Sequence, residues 1–344
     1  MAESSCRTNS MNETLRALLS GILDYAGLFP PAKLPLDAAL TNYQTYVHTD
    51  ARWMLARFIC PAAKLSQLAE LVGAMRDADP ASMSLPMHLS VLGNGGAADR
   101  EEFIRYHRQD LLAMDTFRRE SGSLATFDAF EVRLPPVDGG ADGVSDFLLS
   151  VRGSTSGGPG NADRLPEDLP LFVEVLGGDD WRQTWNDAIG GISRANESRP
   201  QGSALIGFKL RCGGVEPSQF PAVDRVAFVI AEAAKQGVPL KFTAGLHHPL
   251  RHFNKAMGCE MHGFVNVFVA SMLAHRHALD SDEVGKVLVA ERWEDFSFSD
   301  VELGFGEWTV DRDAVGDLRR TACLSYGSCS FDEPREDLEE AGLL

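Results

Sequence analysis

Short β-rich runs alternate with stretches of helical spacing along most of this chain, and that rhythm narrows the fold more than any single motif. The runs are "WMLARFICP", "SLPMHLSVLG", "FDAFEVRLP", "LPLFVEVLG", "ALIGFKLRCGG", "VPLKFTAG", "HGFVNVFVA" and "DFSFSDV". Between most of them lie segments such as "KLSQLAELVGAMRDA" and "FPAVDRVAFVIAEAAKQG", whose apolar residues recur every three or four positions. Strand–helix alternation builds parallel β/α units. Eight units over roughly 250 residues match a (β/α)8 barrel. The expected fold class is α/β, a TIM-type barrel, with a doubly wound sheet as the structural alternative.

The same rhythm sets the domain organisation. Residues 1–11 are polar and are expected to form a disordered tail. Residues 12–308 are expected to form one barrel domain. It opens with lead-in helices at "NETLRALLSGIL" and over about 37–47, separated by a stop at Pro30 and Pro31. Residues 309–344 read as a C-terminal extension packed on the barrel. The Gly/Pro/Ser-rich stretch 152–168 reads as a surface insertion, because the rhythm resumes unbroken after it.

Side chains alternate across a strand, so each run divides into two sets. Phe130, Val132 and Leu134 oppose Glu131 and Arg133; Leu171, Val173 and Val175 oppose Phe172 and Glu174. Phe208 and Leu210 oppose Lys209 and Arg211, and Leu240, Phe242 and Ala244 oppose Lys241 and Thr243. Arg57, His88 and Asn266 occupy the same kind of position in the first, second and seventh runs. A parallel sheet covered on both faces would give near-continuous apolar runs instead. One apolar and one polar face per strand fits a barrel whose lumen carries charge. A single lumenal charge is often a structural ion pair, whereas burying a whole set is costly unless its members are paired or bind a ligand.

The lumenal set holds Arg57, Arg133, Lys209, Arg211 and Lys241 against only Glu131 and Glu174, in a chain of net charge −17. Positive charge concentrated against the overall balance suggests a small carboxylate or phosphate metabolite as partner. The acidic chain argues against nucleic acid or an anionic membrane. No apolar run is long enough to span a bilayer and the start "MAESSCRTNS" lacks signal-peptide order, so a cytoplasmic location is expected. The six cysteines show no zinc-type spacing and read as free thiols. A homo-oligomer is compatible with all of this.

Lys209 and Lys241 come from consecutive runs at similar depth, so their ammonium groups are expected to approach and depress one another's pKa. A neutral lysine attacks carbonyl carbon and yields an iminium electron sink, with Glu131, Glu174 or His247 moving protons. The leading expectation is lysine-centred aldolase or lyase chemistry that needs no cofactor. The first alternative is a divalent metal held by His88, Glu131 or Glu174, and His247 or His248, serving an isomerase or lyase. The second is a non-catalytic anion-binding barrel. Adjacent histidines on extended backbone point opposite ways, so at most one of His247 and His248 should face the chemistry. Gly213, Gly214 and Gly245 follow strands where backbone N–H groups can cradle an anion, although turn geometry alone also explains them. "DYAGLFPPA" reads as a plug for one barrel end, with Asp24 reaching the site as the alternative. Cys329 in "GSCSF" reads as a buried inert thiol rather than a nucleophile.

Six motifs, "LDYAGLFPPA", "ARFICPA", "KLRCGG", "PLKFTAGLHHPLRH", "HGFVNVF" and "SYGSCSFDEP", resemble a set shared by a family of bacterial proteins with no assigned activity. The likeness runs over essentially the whole chain and implies a common frame without naming a reaction. Over five residues, "KFTAG" resembles the "KTSTG" strand of class I deoxyribose-phosphate aldolases, barrel enzymes whose lysine forms a Schiff base. That likeness implies Lys241 as the iminium lysine. The sequence departs from that family in two ways. Its second lysine, Lys209, precedes Lys241 instead of following it, and "HGFVNVF" carries no lysine.

Overall fold

A computed structural model describes residues 11–79, 85–153 and 165–344. Helix α1 (Glu13–Leu19) precedes β1 (Leu23–Tyr25) and α2 (Leu36–Val47). Five β/α pairs follow: β2 (Leu55–Pro61) with α3 (Leu65–Ala78), β3 (Met87–Leu92) with α4 (Arg100–Ser121), and β4 (Ala125–Arg133) with α5 (Gly140–Arg152). The other two are β5 (Leu171–Glu174) with α6 (Trp181–Glu197) and β6 (Ile206–Arg211) with α7 (Val223–Lys235). After β7 (Leu240–Thr243) come a hairpin, β8 (His252–Asn254) and β9 (Cys259–Met261), then helices α8 (Phe264–His277) and α9 (Ser281–Leu288). A three-stranded antiparallel sheet, β10 (Phe296–Phe298), β11 (Glu302–Phe305) and β12 (Trp308–Asp311), leads to α10 (Arg312–Thr321), β13 (Cys323–Ser328) and α11 (Asp332–Glu340).

Eight of these strands close into a parallel barrel in the order β1-β13-β7-β6-β5-β4-β3-β2. This is the (β/α)8 architecture expected from the alternation. Strand β1 completes the ring: Leu23 aligns with Tyr326 on one side and with Leu55 on the other. Apolar faces such as Phe58, Phe130, Phe208 and Phe242 are buried under the helices, each contributing ~1.5–3 kcal/mol. Three helix starts are capped by Asp: Asp99 accepts from the Glu102 N–H, Asp280 forms a reciprocal box with Glu283, and Asp311 accepts from the Ala314 N–H. Among the described residues no helix is long and apolar enough to cross a membrane.

Two of the eight expected strands are corrected. "HGFVNVFVA" forms α8, and "DFSF" forms β10 of the small sheet outside the barrel. Every residue from Phe264 to Ala274 is buried, because α8 packs against β13 on one side and against α7, α9, β11 and β12 on the others. A helix buried all round has no polar face, so its sequence shows no helical period and imitates a strand. The missing strands are β1 and β13, which lie in the expected lead-in and C-terminal extension. Residues 323–328 are therefore part of the barrel wall and not an appendage. Residues 1–10 of the expected tail, including Cys6, and the centre of the 152–168 loop lie outside the described residues.

Arg319 on α10 ties β1 to β13. Its buried guanidinium donates to the carbonyls of Leu18, Ser20 and Gly21 before β1, and to those of Cys323 and Leu324 in β13. Asn266 has a comparable structural task on α8, and it is therefore no lumenal substrate contact. Its Oδ1 accepts from the Arg251 N–H at 2.9 Å, while Nδ2 donates to the Val287 and Ala290 carbonyls at 2.9 and 2.8 Å. Replacing it by leucine removes the side-chain partner of the Arg251 N–H and of the Val287 and Ala290 carbonyls, and Asn266→Leu should lower unfolding free energy by about 3 kcal/mol. Equilibrium urea denaturation checks this; a loss under ~1 kcal/mol would contradict the assigned bonding.

Candidate functional site

Lumenal side chains from six strands join into one continuous chain of ion pairs. At one end the Arg57 guanidinium meets Asp24 on β1 at 3.2 Å. Asp24 accepts the Ser325 hydroxyl at 2.7 Å and pairs with the Lys241 ammonium, which also donates to Ser325 at 3.3 Å. Lys241 lies 3.3 Å from Glu131 Oε1, and the opposite oxygen of Glu131 takes Lys209 at 2.8 Å. Lys209 also reaches Glu174 at 3.3 Å. Glu174 Oε1 then receives the Arg133 fork at 3.1 and 2.6 Å, with Arg211 at 3.8 Å. Ser90 from β3 donates to Glu131 Oε1 at 2.5 Å. Buried charges survive because each carboxylate stands between cations, and Asp24 and Glu131 each accept a serine hydroxyl besides.

Register explains the placement. Lys209 and Lys241 are direct Cα partners on β6 and β7, so both side chains enter the lumen at neighbouring points. Beside them, Gly207 provides room for the lumenal Phe172, since a Cβ there would stand 2.7 Å from the ring. The two ammonium groups do approach, as the sequence implies, but Glu131 separates them. The expected depression is therefore corrected at Lys209. Burial opposes the Lys209 ammonium, yet Glu131 and Glu174 hold its pKa above the ordinary lysine range. Burial would likewise raise Glu131, but Lys209, Lys241 and the Ser90 hydroxyl bring it down to about 2. Glu174 is also lowered, against its burial, by Lys209, Arg133 and Arg211.

The chain of charges surfaces in a cavity of about 320 Å3 at the C-terminal ends of the strands, where barrel enzymes place their sites. Lys209, Glu131 and Glu174 reach its wall, Arg133 and Arg211 stand at its mouth, and Thr243, Gly214, Gly245 and His247 border it. Lys241 is completely enclosed beneath Glu131 and does not reach the cavity. His247 bonds Glu333 at 3.0 Å and His248 turns away to Asp337 at 2.6 Å, so one of the pair faces the cavity, as adjacency implied. Gly213 packs against Gly245 and offers its carbonyl to Arg211 at 3.1 Å. Its task is close packing, since a Cβ there would stand 2.5 Å from the Phe220 ring and 2.7 Å from Gly245. Cys329 borders the cavity, but burial raises its thiol pKa, which disfavours the thiolate.

Arg57 and His88 are at the other end of the lumen. Arg57 borders a groove with Arg319 and Arg320 near α1 and α10, and His88 pairs with Asp128 at 2.8 Å. Both sit early in their strands and so point away from the cavity end. The His88–carboxylate–His247 metal set is consequently not assembled, and among the described residues no three His, Cys, Asp or Glu side chains are grouped to hold a metal ion. Asp24 belongs to the charge network, the alternative its sequence position left open, while Ser90 and Ser325 complete the network without any sign of that role in the sequence. Asp24 lies in a barrel strand and not in a plug; the "DYAGLFPPA" segment does both tasks, since Phe29, Pro30 and Pro31 border the cavity.

Fold and site together define a (β/α)8 barrel with an ion-paired lumen opening into a cationic cavity, an architecture compatible with an enzyme. Comparison with protein-family models, with curated proteins and with solved structures found no match.

Asp24→Asn leaves Lys241 enclosed with only Glu131 as a counter-charge, and should cost about 3 kcal/mol of stability. Calorimetry or urea denaturation reads the loss. Glu131 supplies a pH signature. Its folded pKa lies below the ordinary 4.5, so its contribution is complete above pH 4.5 and is lost as pH falls towards about 2. Glu131→Gln should flatten the fall of stability over that window, measured as midpoint urea concentration against pH; an unchanged slope would contradict the assignment.

Proposed function

We propose that this barrel is an enzyme acting on a small anionic carbonyl metabolite, with Lys209 as the reacting amine. The observation that carries this is the position of Lys209 Nζ. It stands at the cavity wall between two carboxylates and below two arginines, whereas Lys241 is sealed off. The role that the aldolase likeness assigns to Lys241 therefore passes to its neighbour, and Lys241 holds Glu131 in its ionised form from below.

At rest, Glu174 is shared by Lys209, Arg133 and Arg211. An incoming carboxylate or phosphate draws the two arginines towards itself, and Glu174 loses cations that depress its proton affinity. Lys209 then passes a proton to Glu174 and its lone pair attacks the substrate carbonyl carbon. The carbinolamine loses water and becomes an iminium. When the bond between the α and β carbons breaks, its electron pair moves into the iminium system, and a carboxylate takes the proton from the β-hydroxyl. Reprotonation of the enamine and addition of water return the free lysine and the second product. The anion thus creates the base that the reaction needs.

A second reading follows from the raised pKa of Lys209. As an ammonium it would donate a proton to a substrate carbonyl, giving isomerase or lyase chemistry without a covalent intermediate.

Borohydride trapping with anionic and neutral carbonyl compounds, read by intact mass and peptide mapping, separates the readings. The expected result is an adduct on Lys209 that is lost in Lys209→Met and forms faster with the anionic compounds. Trapping by neutral compounds should accelerate as pH rises towards the raised lysine pKa. Turnover without an adduct favours the second reading, and binding without either leaves an anion-binding barrel. Arg211→Met should raise KM by about tenfold, a loss of ~1.4 kcal/mol of binding.

A further inference from the structure

The walls of the cavity are sorted by strand. All its charges project from β4, β5 and β6: Glu131, Arg133, Glu174, Lys209 and Arg211. The facing wall comes from β1, β2, β3 and the segments that follow them, and presents Ala26, Phe29, Pro30, Pro31, Ile59 and Leu92. In the ring order β5 lies opposite β1, so the cationic and apolar arcs confront each other across the lumen. Strand β13 adds only Gly327 and Cys329. Among the described residues no lining side chain from β1, β2, β3 or β13 is charged or carries an amide. A polyhydroxylated ligand would bring hydroxyls against that arc and leave them without partners. An apolar substituent would exchange water for Phe29, Ile59 and Leu92.

We propose that the ligand is a short oxo acid with an apolar body, such as a branched aliphatic 2-oxo acid, bound as the ketone fragment that the carbon–carbon cleavage releases. This rests on the lysine-centred reading of the same site and adds the substrate class. The carboxylate meets Arg133 and Arg211, the adjacent carbonyl lies over Lys209, and the alkyl group faces Phe29, Pro30, Ile59 and Leu92. Both Arg133 and Lys209 contact one carboxylate, Glu174, so the anionic group and the carbonyl must be close neighbours in the ligand. The cavity holds on the order of ten non-hydrogen atoms, taking the ~30 Å3 share of a liquid water molecule for each.

Isothermal titration of the full chain with four probes tests this: 4-methyl-2-oxopentanoate, its carbonyl-free analogue 4-methylpentanoate, pyruvate and dihydroxyacetone phosphate. The branched oxo acid should bind about tenfold tighter than pyruvate or the sugar phosphate. Phe29→Ser should shrink that margin by about fivefold. Equal or tighter binding of pyruvate or the sugar phosphate overturns the proposal, and the wild-type ranking decides this without the variant. Tight binding of both branched acids without a borohydride adduct sinks the lysine chemistry and keeps the ligand class. An adduct on Lys209 with the sugar phosphate alone does the reverse.

Discussion

Glu131 carries the molecule's central interaction. One buried carboxylate takes Lys209 on one oxygen and Lys241 on the other, and without it two ammonium groups from adjacent strands would share a water-poor lumen. Uncompensated charges of that kind cost several kcal/mol each. The surrounding pattern follows from this constraint. Lys241 needs a second counter-ion, which Asp24 supplies from a strand of only three residues. Lys209 needs one as well, and Glu174 supplies it from the other side. The barrel can afford a polar centre because the charges alternate along it.

Alternation does not cancel evenly. Five cations and three carboxylates take part, and the excess gathers at the mouth, where Glu174 alone answers Arg133 and Arg211 and also shares Lys209 with Glu131. The inner members are fully desolvated and locked, whereas the side chains of Arg133 and Arg211 are 33% and 42% exposed and free to exchange Glu174 for another anion. The gradient from locked to exchangeable charge gives the cavity its chemical polarity. The apolar arc on the facing wall gives it a second one.

Much of this was legible in the amino-acid order, and the failures have physical causes. Six barrel strands, β2 to β7, announced themselves by alternation, and their inward charges by parity. Parity cannot report depth along the barrel axis. Arg57 and His88 share the inward face with Ile59 and Leu92, yet they lie at the opposite end because they come early in their strands. Strand β1 is too short for any period to show, and β13 places Ser325 and Gly327 inward, so its polar face looks like a loop. The burial of α8 on every side erased its helical signature. The interposition of Glu131 between two lysines depends on three strands at once, and no local pattern encodes it.

The closing strands lie at opposite ends of the sequence, and so do the groups they deliver. Ser325 and Asp24, 301 positions apart, bond to each other and to Lys241. The barrel's last seam and the deepest part of the charge network are thus the same event. During synthesis Lys241 emerges well before β13 can cover it, and it must wait in solvent until the ring closes. Contacts of such long range form late in folding. Assembly of the site therefore reports on closure of the barrel: a molecule in which β1 and β13 have not paired has no enclosed lysine, no oriented Glu131 and no cavity floor.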